Sequence, residues 1–161
     1  MRKFEKISFE QFQKDVADDE ALYEEYKTPN RETHFAAGYD FHAIKGFTIN
    51  PGEIAKIPSG IKATMEDDEV LLLVVRGSQG FKYNIRLCNQ VGVVDKDYYN
   101  NRGNEGHIWI GLQNEGNAKY VVKKGDKIAQ GIFVKYLLTE DDEQKRKMKR
   151  LCLDDGYLKN V

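Results

Sequence analysis

At 161 residues and 40% hydrophobic composition, the chain has the size of one domain and enough apolar surface for one core. Its 25 basic and 26 acidic residues leave a net charge of -1, which excludes the global positive field of a nucleic-acid binder, so an anionic ligand must be held by local placement of charge. The two cysteines, Cys88 and Cys152, lack partners at zinc or redox spacing, the start Met1 to Lys6 is followed by polar residues, and no apolar run reaches membrane-spanning length; the expectation is a cytoplasmic protein with reduced thiols.

In chain order, a short strand is expected around Phe4 to Ile7, followed by a helical insertion over about residues 8–28. Ser8 with Gln11 three residues on reads as a capping box, and Phe9, Phe12 and Val16 recur at helical spacing to dock the helix. Asp18, Asp19 and Glu20, then Glu24 and Glu25, give it a solvated acidic face, and Thr28-Pro29-Asn30 ends it. From Phe35 to Leu138 the pattern changes to short β-type runs, broken by turn chemistry at Asn50-Pro51-Gly52, Pro58-Ser59-Gly60, Arg102-Gly103-Asn104, Asn114-Glu115-Gly116 and Lys124-Gly125-Asp126. Such spacing is that of a sandwich or barrel. Val70 to Val75 suits a strand covered on both faces, and Ile108, Ile110 and Leu112 alternate with their neighbours, as do Ile128, Gln130, Ile132 and Val134. Residues 139–161 are charged and are expected to be a C-terminal arm, as a short exposed helix or a tail. With no repeat and no low-complexity linker, residues 1–161 read as one mainly β domain, with the core at 35–138.

Four polar motifs interrupt the strands: Ala37-Gly38-Tyr39-Asp40, Arg76-Gly77-Ser78-Gln79-Gly80, Gly92-Val93-Val94-Asp95-Lys96-Asp97-Tyr98 and Gly125-Asp126-Lys127-Ile128-Ala129-Gln130. Each alone is weak, since glycine-flanked polar turns occur in many β proteins. Together and in this order they resemble the dUTPase family, whose motifs run alanine-glycine-tyrosine-aspartate, arginine-serine-glycine, glycine-valine-isoleucine-aspartate-x-x-tyrosine and glycine-aspartate-basic-isoleucine-alanine-glutamine. Ile49 to Glu53 with Ile57 to Ile61 also resembles the family's second hairpin, and the likeness runs from Ala36 to Tyr136. It implies a dUTPase-like β-barrel or jelly roll of the β-clip type, a homotrimer with sites shared between subunits, and hydrolysis of dUTP to dUMP and pyrophosphate, which limits uracil in DNA.

Phosphoanhydride hydrolysis needs a carboxylate that orients and deprotonates a water in line with the leaving pyrophosphate. Asp95 matches the family's water-activating aspartate; as an isolated residue it would read as a turn cap. Tyr98 matches the tyrosine that lies against the deoxyribose and leaves no room for a 2′-hydroxyl, with Tyr99 as its competitor and ordinary packing as the alternative role. Gly92 and Val93 belong to the hairpin that reads uracil through main-chain groups, and a residue without Cβ permits close approach. Arg76, Gly77, Ser78, Gln79 and Gln130 are the candidates for the triphosphate. The family usually has serine directly after the arginine, whereas here Gly77 intervenes. Magnesium is the implied cofactor, carried on the phosphates and met by protein mainly through water, with Asp40 as an outer-shell candidate and Asp126 read as a turn brace.

The residues up to Val161 contain no string like the arginine- and phenylalanine-containing glycine-rich arm with which members of the resembled family commonly end. Tyr157 is the candidate replacement for its aromatic lid, and Lys149, Arg150 or Lys159 for its charge, against the alternative of a solvated tail. The insertion from Asn100 to Gly106 would bring Arg102 or Glu105 to the pocket or form a loop tip. His34, His42 and His107 match no metal-ligand spacing. A deoxycytidine triphosphate deaminase of the same fold would need a glutamate near Gly111, which the chain lacks. A dCTP-cleaving pyrophosphatase, and a non-catalytic regulator that contacts a protein through the insertion around Phe9 to Tyr26, are the remaining readings.

Overall fold

The structure, a computed structural model, describes residues 1–142. Strand β1 (Lys3–Lys6) opens the chain and pairs antiparallel with β5 (Ile61–Thr64), Lys6 lying opposite Ile61. The expected helix follows, but as two pieces, α1 (Phe9–Asp15) and α2 (Glu20–Glu25). Ser8 caps α1, its Oγ accepting from Gln11 N at 3.2 Å; the reciprocal half of the capping box is absent, because the Ser8 N–H donates to Glu105 Oε1 instead, and the Gln11 amide donates to Asp15. The break arises at Asp19, whose carboxylate accepts from Leu22 N at 3.0 Å and so starts a new helix. Phe12, Ile7 and Ile44 form a small buried cluster ringed by Phe9, Val16, Leu22, Tyr23 and Tyr26, and Tyr26 also packs on the main core. Phe12→Ala is therefore expected to cost about 3 kcal/mol or more of unfolding free energy in chemical denaturation. A loss below about 1 kcal/mol would show that the helices are not part of the cooperative unit.

The remaining strands are β2 (Tyr39–His42), β3 (Phe47–Ile49), β4 (Ile54–Pro58), β6 (Glu69–Val74), β7 (Ile85–Leu87), β8 (Gly92–Val94), β9 (Trp109–Asn114), β10 (Tyr120–Val122) and β11 (Lys127–Lys135). They pair antiparallel as a four-stranded sheet, β2-β11-β6-β8, a three-stranded sheet, β4-β9-β7, and the pairs β1-β5 and β3-β10. The fold is mainly β, and the inner faces of both larger sheets supply the core. In β6, central between β11 and β8, Val70, Leu71 and Leu73 are buried, and Ile108, Ile110 and Leu112 at β9 are fully buried, as their alternation requires.

Strand β11 departs from expectation. A bulge between Lys127 and Ala129 adds a residue and inverts the faces, so that beyond Ile128 it is Ala129, Gly131 and Phe133 that meet the core, while Ile132 and Val134 are only half-buried. The polar segment after Arg76, for which no helix was expected, is a helix, α3 (Gly77–Tyr83), terminated by Asn84 in the left-handed conformation at φ 54°.

Candidate active site

The four-stranded sheet brings three motif segments into one row. Gln130 on β11 lies opposite Asp40 on β2 on one side and Val74 on β6 on the other, and Arg76 follows two residues beyond Val74. Arg76 Nε stands 3.2 Å from Asp40 Oδ1, and Lys127 Nζ 3.5 Å from Asp40 Oδ2, while Lys127 also pairs with Glu32. Asp40, Arg76, Gly77, Ser78, Gln130 and Gly38 line a cavity of about 370 Å³. A second, of about 610 Å³, shares Arg76 and Ser78 and continues past Lys119, Lys127, Tyr83 and Tyr120. Guanidinium, ammonium, hydroxyl and amide groups thus converge where a polyanion can be met from several directions. Gly38 is needed for that convergence: a Cβ there would come within 2.1 Å of Gln130 Oε1, so only glycine leaves room for the glutamine amide, which donates to Val75 O at 3.3 Å. Ser78 is exposed, and space is open where a side chain on Gly77 would begin.

Gln79 is used differently from the expectation that it binds a ligand. It is 2% exposed, its Oε1 accepts from Arg76 N at 2.8 Å, and its Nε2 donates to Ile128 O at 2.8 Å. Both ends of the amide are thus committed to backbone, which makes Gln79 a brace joining the start of α3 to β11 and aiming the Arg76 to Ser78 segment. Asp126 is likewise a turn brace, accepting from Lys123 N at 2.8 Å.

The third motif lies at the opposite edge of the same sheet. After β8, Asp95 opens a single 3₁₀ turn, Lys96–Tyr98, yet makes no capping hydrogen bond to it and is half-buried, so the turn-cap role is not the one its carboxylate plays. Tyr98 is 5% exposed; its hydroxyl donates to His107 O at 2.8 Å and accepts from Asn104 Nδ2 at 2.7 Å, and burial raises its pKa. Tyr99 donates to Glu5 Oε2 at 2.8 Å and lies under Lys62 Nζ, so it is tied to β1. Gly92 has a packing reason of its own, since a Cβ there would stand 3.0 Å from Leu73 Cβ on the adjacent strand, whereas Val93 is 46% exposed.

Register sets the separation of the two halves. Val94 pairs with Leu71, so Asp95, the next residue, extends to about the level of Val70, while Gln130 pairs with Val74. Four residues along and two strands across put their Cα atoms roughly 16 Å apart.

The loop after Tyr98 does not present Glu105 to a pocket. Its carboxylate accepts from Ser8 N (2.7 Å), Ser8 Oγ (2.6 Å) and Lys62 Nζ (2.9 Å); burial pushes its pKa up, but these partners outweigh it and the net shift is downward. Arg102 is exposed at the loop tip. His107, which the sequence offers as an isolated histidine, is wholly buried: Nε2 accepts from Gly60 N at 2.8 Å, so Nδ1 is the protonated nitrogen of the neutral ring and faces Asp15 Oδ2 at 2.6 Å. Burial lowers its pKa despite Asp15. The stability this contributes is fully present above the ordinary histidine value of about 6.5 and is lost as pH falls from there through the folded-state value. Urea unfolding at pH 7.5 and 5.5 is expected to show a larger loss for the unmodified chain than for His107→Gln; equal losses would remove His107 from that role. Tyr157, Lys149, Arg150 and Lys159 lie outside the described residues.

The dUTPase family model matches residues 24–156, and over 122 residues the chain is 43% identical to the deoxyuridine 5'-triphosphate nucleotidohydrolase of Lactococcus lactis subsp. lactis (strain IL1403), covering 76% of this chain and 81% of that protein. The chain belongs to the dUTPase family. The corresponding protein of Desulfitobacterium hafniense (strain Y51) is 38% identical over 117 residues, covering 71% of this chain and 74% of its own. The crystal structure of dUTPase from Streptococcus mutans matches with a TM-score of 0.69 and 40% identity, over 85% of this chain and 98% of that one. At 19% identity, the dUTPase from phage phi11 of S. aureus shares the fold, with a TM-score of 0.64 over 87% and 93% of the two chains. Within this dUTPase-family chain, the matched part begins inside α2, so β1 and α1, with Glu5, Ser8 and Asp15, precede it. Two residues beside Asp40 were not singled out from sequence, Glu32 and Lys127. The lysine is the basic member of the fourth motif and carried that much of a signal; Glu32 carried none.

Proposed function

We propose that the chain hydrolyses dUTP to dUMP and pyrophosphate. The observation that carries the reading is the convergence of Asp40, Arg76, Ser78 and Gln130 on one cavity in a chain of the dUTPase family. Asp95 takes a proton from a water whose oxygen bonds to the α-phosphorus; the bond from that phosphorus to the bridging oxygen breaks, and pyrophosphate leaves with the electron pair. Arg76, Ser78 and Gln130 offset and orient the phosphate oxygens, the Gly77 and Ser78 backbone adds amide donors, and Gln79 acts at one remove by bracing that segment. The main chain of Gly92 and Val93 meets the base, and the buried, doubly hydrogen-bonded Tyr98 gives the sugar a fixed aromatic wall.

Magnesium is the proposed cofactor. The Asp40 oxygens already face Arg76 and Lys127, and among the described residues no three His, Cys, Asp or Glu side chains group to hold a metal ion. That donor set fits a cation carried by the triphosphate and met by Asp40 through water. When bound, it would offset charge on the phosphates and on the departing pyrophosphate.

The assembly proposed is a homotrimer. With the Cα atoms of Asp95 and Gln130 roughly 16 Å apart along one sheet, Asp95 of the same copy is poorly placed to activate water against a phosphate held at the Arg76 end, because the base must stand within one water of the phosphorus. Asp95 of one copy would then serve the cradle of another, and the β8 edge, with Val93 on it 46% exposed and Val91 just before it 44% exposed, offers apolar surface for that contact. The pool of deoxynucleotides and the free thiol of Cys88 support a cytoplasmic site of action.

Deamination lacks its carboxylate at Gly111, where even a Cβ would stand 3.2 Å from Cys88 Sγ. The experiment is pyrophosphate release from each deoxynucleoside triphosphate with magnesium. dUTP is expected to turn over fastest; equal cleavage of dCTP would overturn the base preference, and cleavage of none would overturn the enzyme.

A further inference from the structure

Residues 1–23 precede the part of the chain matched by the family model, yet their side chains reach the residues that follow the third motif. Glu5 accepts from the Tyr99 hydroxyl, Ser8 donates twice to Glu105, and Asp15 meets His107. None of these contacts is between sequence neighbours, and all fall within the stretch from Tyr99 to His107.

That stretch in turn wraps Tyr98. The Tyr98 hydroxyl donates to His107 O, Asn104 Nδ2 donates to the same hydroxyl, and Asn101 Nδ2 donates to Tyr98 O at 2.8 Å. Gly106, at φ 88°, passes so close that a Cβ would lie 2.7 Å from Tyr98 O. Asn100 and Glu105 hold φ of 56° and 64°, a left-handed conformation that residues with a Cβ adopt at a cost and keep only when their surroundings hold them there. Those surroundings include Ser8 and Lys62, the lysine donating both to Asn100 Oδ1 at 2.8 Å and to Glu105. Finally, Tyr98 N donates to Asp95 O at 3.1 Å, which closes the turn carrying the catalytic carboxylate.

We propose that the N-terminal segment is a positioning element for the third motif, in which Ser8 acting through Glu105, and Asp15 acting through His107, hold the loop that fixes Tyr98 and Asp95. Asp15, Ser8, Glu105 and His107 are positioning residues and touch no substrate. This rests on the dUTP reading only for what the loop serves, and not for how the loop is held. The physical case is that a wall which excludes a 2′-hydroxyl must be stiff to discriminate, and the stiffness of Tyr98 comes from a loop with no regular secondary structure, held by side chains of an added segment.

The test compares Asp15→Ala, Asp15→Asn and Glu105→Ala with the unmodified protein. The ratio of kcat/KM for dUTP to that for UTP is insensitive to the fraction of folded protein, so a role in stability alone would not move it. Both alanine variants are expected to lower that ratio about fivefold or more, and Asp15→Asn, which keeps an acceptor for His107 Nδ1–H, to restore most of it. Alongside it, hydrogen exchange of the amides from Tyr98 to Glu105 should quicken at least tenfold in the alanine variants while β6 and β11 keep their protection. An unchanged ratio together with unchanged exchange in the loop overturns the inference. The exchange arm needs no substrate, so an unmodified protein that fails to cleave dUTP would sink the dUTP reading while exchange alone still decides whether the segment holds the loop.

Discussion

Asp95→Asn is expected to leave the fold and dUTP affinity intact and to lower turnover by about a hundredfold to ten-thousandfold, the range that a positioned general base supplies. The amide matches the carboxylate in shape but cannot accept the proton of the attacking water. The turn itself is closed by the backbone bond from Tyr98 N to Asp95 O, which the substitution leaves in place. Single-turnover pyrophosphate release and calorimetric dUTP binding separate the two effects. Turnover within threefold of the unmodified chain would take Asp95 out of the reaction.

Arg76→Ala is expected to lower kcat/KM for dUTP by about a hundredfold to a thousandfold, as loss of one preorganised donor to a developing charge typically does. The guanidinium is already oriented, since Asp40 holds its Nε from one side and the backbone N–H of Arg76 is fixed by Gln79. Removing it leaves Asp40 facing Lys127 alone, so a carboxylate intrudes where phosphate oxygens should sit. Affinity for dUMP, which lacks the β- and γ-phosphates, should fall much less than affinity for dUTP in inhibition assays. Arg76→Lys should recover part of the loss, because a point charge replaces a planar fork. Equal losses for the two nucleotides would assign Arg76 to the base or sugar.

Much of this architecture was legible in the sequence, for identifiable reasons. The alternation ending at Leu112 is a direct image of burial, the apolar run marks β6 although Leu72 and Val74 are only half-buried there, and the four motifs were legible through their order, which resembles that of the dUTPase family. The misreadings share another cause. Asp19 is tolerated in a helix and also caps one, so the break between α1 and α2 depends on which hydrogen bond wins. Periodicity cannot see the bulge at Lys127 and Ala129, and one added residue exchanged the faces of β11. Gln79 of the second motif and Gln130 of the fourth are the same residue type, yet Gln79 is 2% exposed with both ends of its amide on backbone, while Gln130 is half-buried and lines the smaller cavity. His107 carried no signal because its partner Asp15 is 92 positions away.

The separation of Asp95 from the Arg76 cradle is the feature that local sequence could not reveal, and the account depends on it. Asp95→Asn and Arg76→Ala protomers, each inactive alone, should complement when co-expressed and assembled together. If a site takes its carboxylate from one copy and its cradle from the next, half of the carboxylate positions and half of the cradle positions are intact in an equal random mixture, so about one quarter of sites regain both. The measurement is the rate of pyrophosphate release from dUTP by that mixture. Recovery to about a quarter of the unmodified rate is the result the shared site predicts, and a mixture no more active than its separate components would contradict it.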